Sequence, residues 1–125
     1  MTSLLADTHT LLWWRGDELR LSRVALAAME DVSSPLFFSA ASIWEIEIKR
    51  AKDKLDVPDG LLDTMRQRGF AELPVLSRHA VVAGRLPAHH GDPFDRMLVA
   101  QAQCEGLTVV TADTRISAYD VPTLW

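Results

Sequence analysis

Short apolar runs alternate with amphipathic segments along the whole chain. Runs of strand length fall at residues 3–6, 36–39, 70–75, 107–111 and 121–125, and we predict a β-strand at each of them. The run at 107–111, Leu-Thr-Val-Val-Thr, is rich in β-branched residues and is the most convincing strand of the five. The run at 121–125 would add a final edge strand.

The segments between these runs predict helices whose ends carry recognisable capping residues. We expect helices over residues 22–32, 41–52, 61–69, 77–86 and 92–106, with a short helix or turn at 11–14. Ser22, Ser77 and Asp92 suit an N-cap, and Pro93 suits the first helical position. Gly106 follows the last of these helices, where glycine commonly ends a helix.

Strands that alternate with helices are typical of a three-layer α/β/α fold with a central parallel sheet. Asp7 and Asp113 each follow a predicted strand directly, whereas Glu45 and Asp95 lie near the beginnings of predicted helices. Helices in such folds run antiparallel to the strands, and open α/β sheets bind ligands at the carboxyl ends of their strands. We therefore expect these four acids to meet at one edge of the sheet.

Asp92 and Asp95 lie close together at the start of one predicted helix. Capping accounts for Asp92, and the helix dipole favours a carboxylate at Asp95 in the first turn. A second acid beside Arg96, ahead of an Ala-rich apolar helix, suggests a further role. We predict that Asp95, and not Asp92, helps to hold a divalent metal.

The composition is that of an ordinary globular protein, with 48% hydrophobic and 24% charged residues and a net charge of −4. A length of 125 residues predicts a single domain over residues 1–125. The one cysteine, Cys104, excludes an intrachain disulfide and favours a reducing compartment. Neither a signal peptide nor a run of about 20 apolar residues is visible, so we expect a cytoplasmic protein without membrane association.

Several carboxylates crowded at one place would not all stay ionised without a counter-ion. Mg²⁺ or Mn²⁺ meets this need, because both cations prefer oxygen ligands. A bound cation can activate water and can neutralise charge on a phosphodiester. The acids therefore favour metal-dependent hydrolysis of a nucleic-acid backbone.

Four segments carry a resemblance to a known family. They are Leu-Leu-Ala-Asp-Thr-His at 4–9, Ser-Ile-Trp-Glu-Ile at 42–46, Asp-Pro-Phe-Asp-Arg-Met-Leu-Val-Ala-Gln-Ala at 92–102 and Val-Val-Thr-Ala-Asp at 109–113. In this order they resemble the PIN-domain ribonucleases, in particular the VapC-type toxins of bacterial type II toxin–antitoxin modules. The resemblance covers nearly the whole chain.

This resemblance implies strand order 3-2-1-4-5 and Mg²⁺- or Mn²⁺-dependent cleavage of RNA. It also implies a homodimer that is neutralised by a small DNA-binding antitoxin. The implied site residues are the catalytic acids Asp7, Glu45, Asp95 and Asp113, with Thr8 and Thr111 hydrogen-bonded to them. Asp7, Asp95 and Asp113 would bind the metal, Asp113 directly or through water.

Other residues near these motifs have a structural alternative. Arg96 and Arg115 could contact RNA, although pairing with nearby acids is the simpler role. His89 and His90 could act as acid–base groups, but a polar loop needs no such role. Trp13 and Trp14 could stack on bases, although core or dimer packing explains both; Cys104 suits the core.

Two other functions fit a small acidic α/β domain. The first is a catalytically silent PIN module that acts through protein or RNA binding, and the intact set of acids argues against it. The second is a receiver domain of a response regulator, which also binds Mg²⁺. A receiver needs a lysine after a late strand, and no lysine follows Lys54. We therefore favour the metal-dependent ribonuclease toxin.

Overall fold

A five-stranded parallel sheet forms the centre of the molecule. The computed structural model describes residues 2–125. The strands are β1 (Leu4–Ala6), β2 (Leu36–Ser39), β3 (Ala71–Leu73), β4 (Thr108–Val110) and β5 (Thr123–Leu124). Their order across the sheet is β3-β2-β1-β4-β5, and every neighbouring pair is parallel. The predicted α/β fold and strand order are confirmed.

Seven α-helices connect and cover these strands. They are α1 (Thr8–Gly16), α2 (Arg23–Glu30), α3 (Ala40–Ala51), α4 (Leu61–Gln67), α5 (Ser77–Arg85), α6 (Pro93–Glu105) and α7 (Thr114–Ser117). The predicted caps at Ser22 and Asp92 are confirmed, since each side chain accepts a backbone N–H of its own helix. Gly106 ends α6 with φ of 68°, in the left-handed region that favours glycine. None of these helices is long and apolar enough to cross a membrane.

The two faces of the sheet bury separate apolar clusters. Leu4 and Ala6 face a cluster formed with α1, α2 and α4, whereas Leu5 faces a cluster formed with α6 and α7. This split follows from the alternation of side chains along a strand. Burial on both faces explains why β1 is apolar at every position. The result is a three-layer α/β/α sandwich.

The predicted N-cap at Ser77 is wrong. Helix α5 begins at Ser77 itself, and Leu76 occupies the capping position. The backbone N–H of Leu76 donates to Nδ1 of the buried His79, 3.0 Å away. A histidine ring in the first turn therefore accepts the N–H of the capping residue, and Ser77 is the first helical residue. The sequence also gave no indication of α7, which Asp113 caps.

Candidate active site

Asp7 joins the first and fourth strands at the carboxyl edge of the sheet. Its Oδ1 accepts the backbone N–H of Thr10 at 2.8 Å and thereby caps α1. Its Oδ2 accepts the hydroxyl of Thr111, whose oxygen also accepts the backbone N–H of Asp113 at 3.0 Å. Asp7 is only 5% exposed. One threonine side chain therefore fixes both acids that follow the two central strands.

Glu45 reaches the same edge from the second turn of α3. Its Oε1 accepts the hydroxyl of Thr8 at 2.8 Å, and its Oε2 lies 2.7 Å from Nζ of Lys49. Ser42 lies 3.0 Å from the same threonine hydroxyl. Glu45 is buried, with 3% of its surface exposed. Its position depends on the residue that follows Asp7, so the two acids are held as one unit.

His90 links the remaining two acids. Its Nε2 lies 3.0 Å from Oδ2 of Asp95 and 2.9 Å from Oδ2 of Asp113. Asp95 is placed by the start of α6, where Asp92 accepts the backbone N–H groups of Phe94 and Asp95. Asp92 is therefore the cap of α6, as predicted, and the Asp95 carboxylate contacts His90 instead of the helix backbone.

The ionisation of Asp95 shows how closely the acids are crowded. Burial, with smaller effects from the charges of Asp92, Glu45 and Asp7, raises the pKa of Asp95 to about 7. Burial also raises the pKa of Asp7, although hydrogen bonds from Thr10 and Thr111 favour its carboxylate. The pKa of Lys49 is raised by its hydrogen bond to Glu45 and by the charges of Asp92 and Asp95. Asp7, Glu45 and Asp95 thus share one electrostatic environment.

Asp113 differs from the other acids in its environment. Burial acts to raise its pKa, but hydrogen bonds from the backbone N–H of Arg115, from His90 and from the Arg115 side chain outweigh burial. The pKa of Asp113 therefore lies below its usual value. Asp113 and Asp7 also line an open cavity of about 260 Å³, together with His9, Trp13 and Ala112. This cavity gives a ligand access to the two acids from solvent.

The donor set suits a divalent cation. His90, Asp95 and Asp113 each offer one ligand atom, and these atoms lie within 4.8 Å of one another. Carboxylate oxygens dominate the site, and hard cations such as Mg²⁺ and Mn²⁺ prefer them. A cation would also relieve the repulsion that raises the pKa of Asp95. The residues present therefore fit a metal.

The two predicted arginines have different surroundings. The guanidinium of Arg96 donates to the carbonyls of Ala83, Leu86 and Pro87 at 2.9–3.0 Å, and lies 3.4 Å from that of His90. It thus holds the loop before α6, and it pairs with no acid among residues 2–125. Arg115 lies beside Asp113, with Nε 3.4 Å from Oδ1, and its side chain is 64% exposed.

Trp13 and Trp14 point to different parts of the molecule. Trp14 is a core residue, 3% exposed, whose ring packs against Phe70. Trp13 is half-buried and lines the cavity beside Asp7 and Asp113. Cys104 is partly exposed, so its assignment to the core was wrong.

Two residues of the site were given little or no weight from the sequence. Lys49 was not among the predicted site residues, although its spacing from Glu45 allows an ion pair between residues four apart. His90 was considered as an acid–base group, but a polar loop was expected to need no such role. In the structure it is 4% exposed, and His89 packs against Tyr119 instead. The two histidines are adjacent in the sequence, and the course of the loop alone determines that His90 is buried and that His89 packs against Tyr119.

The fold and the acid cluster define a member of a known class. Residues 4–122 match the PIN domain family, and the chain therefore belongs to that family.

Particular relatives agree with this assignment. The chain is 29% identical to ribonuclease VapC22 of Mycobacterium tuberculosis, in an alignment of 131 residues that covers 100% of both chains. Its fold is similar to that of VapBC2 from Rickettsia felis in complex with a promoter DNA fragment, with a TM-score of 0.74 and 12% identity, over 98% of this chain and 97% of that chain. It is also similar to a toxin–antitoxin complex from Klebsiella pneumoniae, with a TM-score of 0.65 and 20% identity over 97% and 95% of the chains.

Proposed function

We propose that the chain is a metal-dependent endoribonuclease toxin that a cognate antitoxin neutralises. The convergence of Asp7, Glu45, Asp95 and Asp113 on one edge of the sheet carries this proposal. Burial, together with the charges of neighbouring acids, raises the pKa of Asp95 to about 7. The full-length relative named a ribonuclease supports RNA as the substrate. Cleavage of RNA is therefore the activity to test first.

Asp7, Asp95 and Asp113 are the proposed metal ligands, and Mg²⁺ is the proposed ion, with Mn²⁺ as a substitute. When bound, the ion neutralises charge on the phosphodiester and lowers the pKa of a coordinated water. The carboxylates are held in place before any ligand arrives: Thr111 binds Asp7, and Thr8 binds Glu45. Such prior orientation reduces the reorganisation needed during catalysis.

The surface around the acids determines how RNA can approach. The cavity beside Asp7 and Asp113 is open to solvent and includes the half-buried Trp13. Arg115 is the proposed phosphate contact, because its guanidinium lies beside Asp113 with most of its surface exposed. Arg96 holds loop carbonyls, and we assign it no contact with RNA.

The proposed protein partners are a small DNA-binding antitoxin and a second copy of the chain. Toxin–antitoxin and VapBC complexes of the same fold support the antitoxin. An apolar groove of about 460 Å³ beside α3 and α6 supports the homodimer. Trp44 lines this groove and is 65% exposed, which is unusual for a tryptophan on a monomer surface. A toxin that cleaves cellular RNA would act in the cytoplasm.

Cleavage of total RNA by the purified protein tests the enzymatic proposal. We expect cleavage with Mg²⁺ or Mn²⁺ and none with EDTA. Asp95→Asn should abolish it, whereas Asp120→Asn, which changes an exposed aspartate, should leave it intact. Equal cleavage by Asp95→Asn would remove Asp95 from the mechanism. Binding of RNA without any cleavage by the wild type would favour the alternative of a catalytically silent PIN module.

Growth of bacteria that express the chain tests the toxin proposal separately. We expect growth arrest with the wild-type chain and normal growth with Asp7→Asn at equal expression. Co-expression of the gene product encoded beside it should restore growth if that product is the antitoxin. Normal growth with the wild-type chain would contradict a toxin even if the protein cleaves RNA in vitro.

A further inference from the structure

The ring of His90 lies between two of the proposed metal ligands. Its Nε2 is 3.0 Å from Oδ2 of Asp95 and 2.9 Å from Oδ2 of Asp113, and the residue is 4% exposed. Two roles are possible for a histidine at this place. It could be a third ligand of the cation, or it could donate a hydrogen bond that positions the two carboxylates.

The other nitrogen of the ring distinguishes these roles. The backbone N–H of Asp92 donates to Nδ1 of His90 at 3.1 Å, so Nδ1 must be unprotonated. The ring proton is then on Nε2, which donates to Oδ2 of Asp113 and lies beside Oδ2 of Asp95. A ligand histidine needs a lone pair on Nε2, and its proton would move to Nδ1. That proton would face the N–H of Asp92, with two donors opposed and no acceptor between them.

The loop around His90 leaves the ring little freedom to avoid this conflict. The backbone N–H of His90 donates to Oη of Tyr119 at 2.9 Å, and the Tyr119 hydroxyl donates to the carbonyl of Pro87 at 2.7 Å. The guanidinium of Arg96 lies 3.0 Å from the same Pro87 carbonyl. The backbone on both sides of the ring is thus fixed by side chains from α6 and from the segment after α7.

We infer that His90 is a positioning residue whose Nε2–H group donates to Asp113 and keeps Asp95 beside it, and that it is not a ligand of the cation. Its hydrogen bond uses Oδ2 of Asp113, and its contact with Asp95 is with Oδ2, so Oδ1 of Asp95 remains available to the metal. Metal-binding carboxylates are commonly held in this way by neighbouring donors. The inference rests on the proposed metal-dependent function and adds a residue to it.

Binding of Mn²⁺ to the full chain tests the inference without an activity assay. Pulsed EPR of the Mn²⁺-loaded protein detects a nitrogen that is directly bonded to the metal, and calorimetry gives the affinity. The variants are His90→Gln, whose amide N–H₂ can replace the Nε2–H donor, and His90→Ala, which has none. His89→Gln is the matched control, because the neighbouring ring lies outside the acid cluster, against Tyr119.

We expect no directly coordinated nitrogen in the wild-type protein. His90→Ala should weaken Mn²⁺ binding about 10- to 100-fold, the usual effect of removing a group that orients a metal ligand. His90→Gln should keep most of the affinity, and His89→Gln all of it. Rescue by Gln would also show that a loss in the Ala variant is not simple misfolding.

Two results would overturn the inference while the proposed function stands. One is a coordinated nitrogen in the wild type that is absent in His90→Gln, which would make His90 a ligand. The other is a His90→Ala protein that binds Mn²⁺ as tightly as the wild type. Failure of the wild-type protein to bind Mn²⁺ at all would instead contradict the metal-dependent function itself, and this inference with it.

Discussion

The hydroxyl of Thr8 donates to Oε1 of Glu45 across a distance of 2.8 Å. This bond joins the first residue of α1 to the second turn of α3, and both residues are buried. Thr8 directly follows Asp7, so the bond also sets Glu45 relative to the acid at the end of β1. A buried carboxylate oxygen that loses such a partner is left unsatisfied, with a penalty of about 1–3 kcal/mol or more.

Thr8→Val should therefore impair RNA cleavage more than it impairs folding. We expect the cleavage rate to fall about 10- to 100-fold, as for other groups that orient metal-site carboxylates. Thr64→Val is the control, because Thr64 also donates its hydroxyl, to the Gly60 carbonyl, but lies outside the acid cluster. Rates should be compared at saturating Mg²⁺. Equal rates for both variants would show that the Thr8 bond does not set the position of Glu45.

The affinity for Mg²⁺ should depend on pH because Asp95 must lose its proton to bind a cation. Its pKa of about 7 in the metal-free protein places this ionisation near neutrality. We expect the association constant to rise about tenfold per pH unit below pH 7 and to level off above it. Calorimetry in two buffers of different ionisation enthalpy would count the protons released. Release of no proton at pH 6 would contradict the raised pKa.

The stability of the metal-free protein should change with pH in the opposite direction. Between pH 4 and 7 the folded chain holds more protons than the unfolded chain, because folding raises the pKa of Asp95 from 3.8 to about 7 and also raises that of Asp7. The free energy of unfolding therefore falls as pH rises through this range. The lowered pKa values of Glu30 and Asp113 act only at lower pH.

Urea unfolding in EDTA at pH 5, 6, 7 and 8 measures this effect. Asp95→Asn is the matched variant, because it removes the ionisable group but keeps a similar shape. We expect the wild type to lose stability from pH 5 to pH 8 and the variant to lose distinctly less. Parallel curves for the two proteins would show that Asp95 ionises normally in the folded chain. Addition of Mg²⁺ at pH 8 should restore stability to the wild type alone.

Much of this site follows from the order of apolar runs. Asp7 and Asp113 could be placed because each follows a buried strand, and parallel strands end at one edge. Glu45 and Asp95 could be placed because helices return antiparallel to those strands. The local sequence also distinguished the role of Asp92 from that of Asp95, because an N-cap side chain binds only backbone N–H groups of its own helix. These features depend on short-range patterns and on one topological rule.

The role of His90 depends on long-range contacts, and the sequence pattern does not contain them. Its burial results from Tyr119, which lies 29 residues away along the chain and accepts the His90 backbone N–H. The role of Arg96 also depends on long-range contacts. Its acceptors are backbone carbonyls before α6, and no periodic sequence pattern predicts where these carbonyls lie. The misplaced cap at Ser77 has a local cause: the ring of His79 accepts the backbone N–H of Leu76, and the helix begins one residue earlier than a cap at Ser77 would require.

Arg96→Ala should destabilise the protein because it leaves three close carbonyl partners without their donor. We expect a loss of about 2 kcal/mol in the free energy of unfolding, typical for hydrogen bonds to a charged group. Arg66→Ala is the control: its 3.7 Å ion pair with Glu72 is exposed, and its loss should cost less than about 1 kcal/mol. Unchanged stability with weaker RNA binding would instead make Arg96 a substrate contact.

Trp44→Glu should convert the proposed homodimer into a monomer. Trp44 lies on α3 beside Phe94, with the ring centroids 5.4 Å apart, and the two rings line the apolar groove. A second copy would bury this surface, and a charge at its centre would oppose that burial. Sedimentation should show a dimer for the wild type and a monomer for Trp44→Glu. Val32→Glu is the control, because Val32 is 88% exposed and lies outside the groove. A dimer that persists in Trp44→Glu would exclude this groove as the interface, and a monomeric wild type would exclude the homodimer.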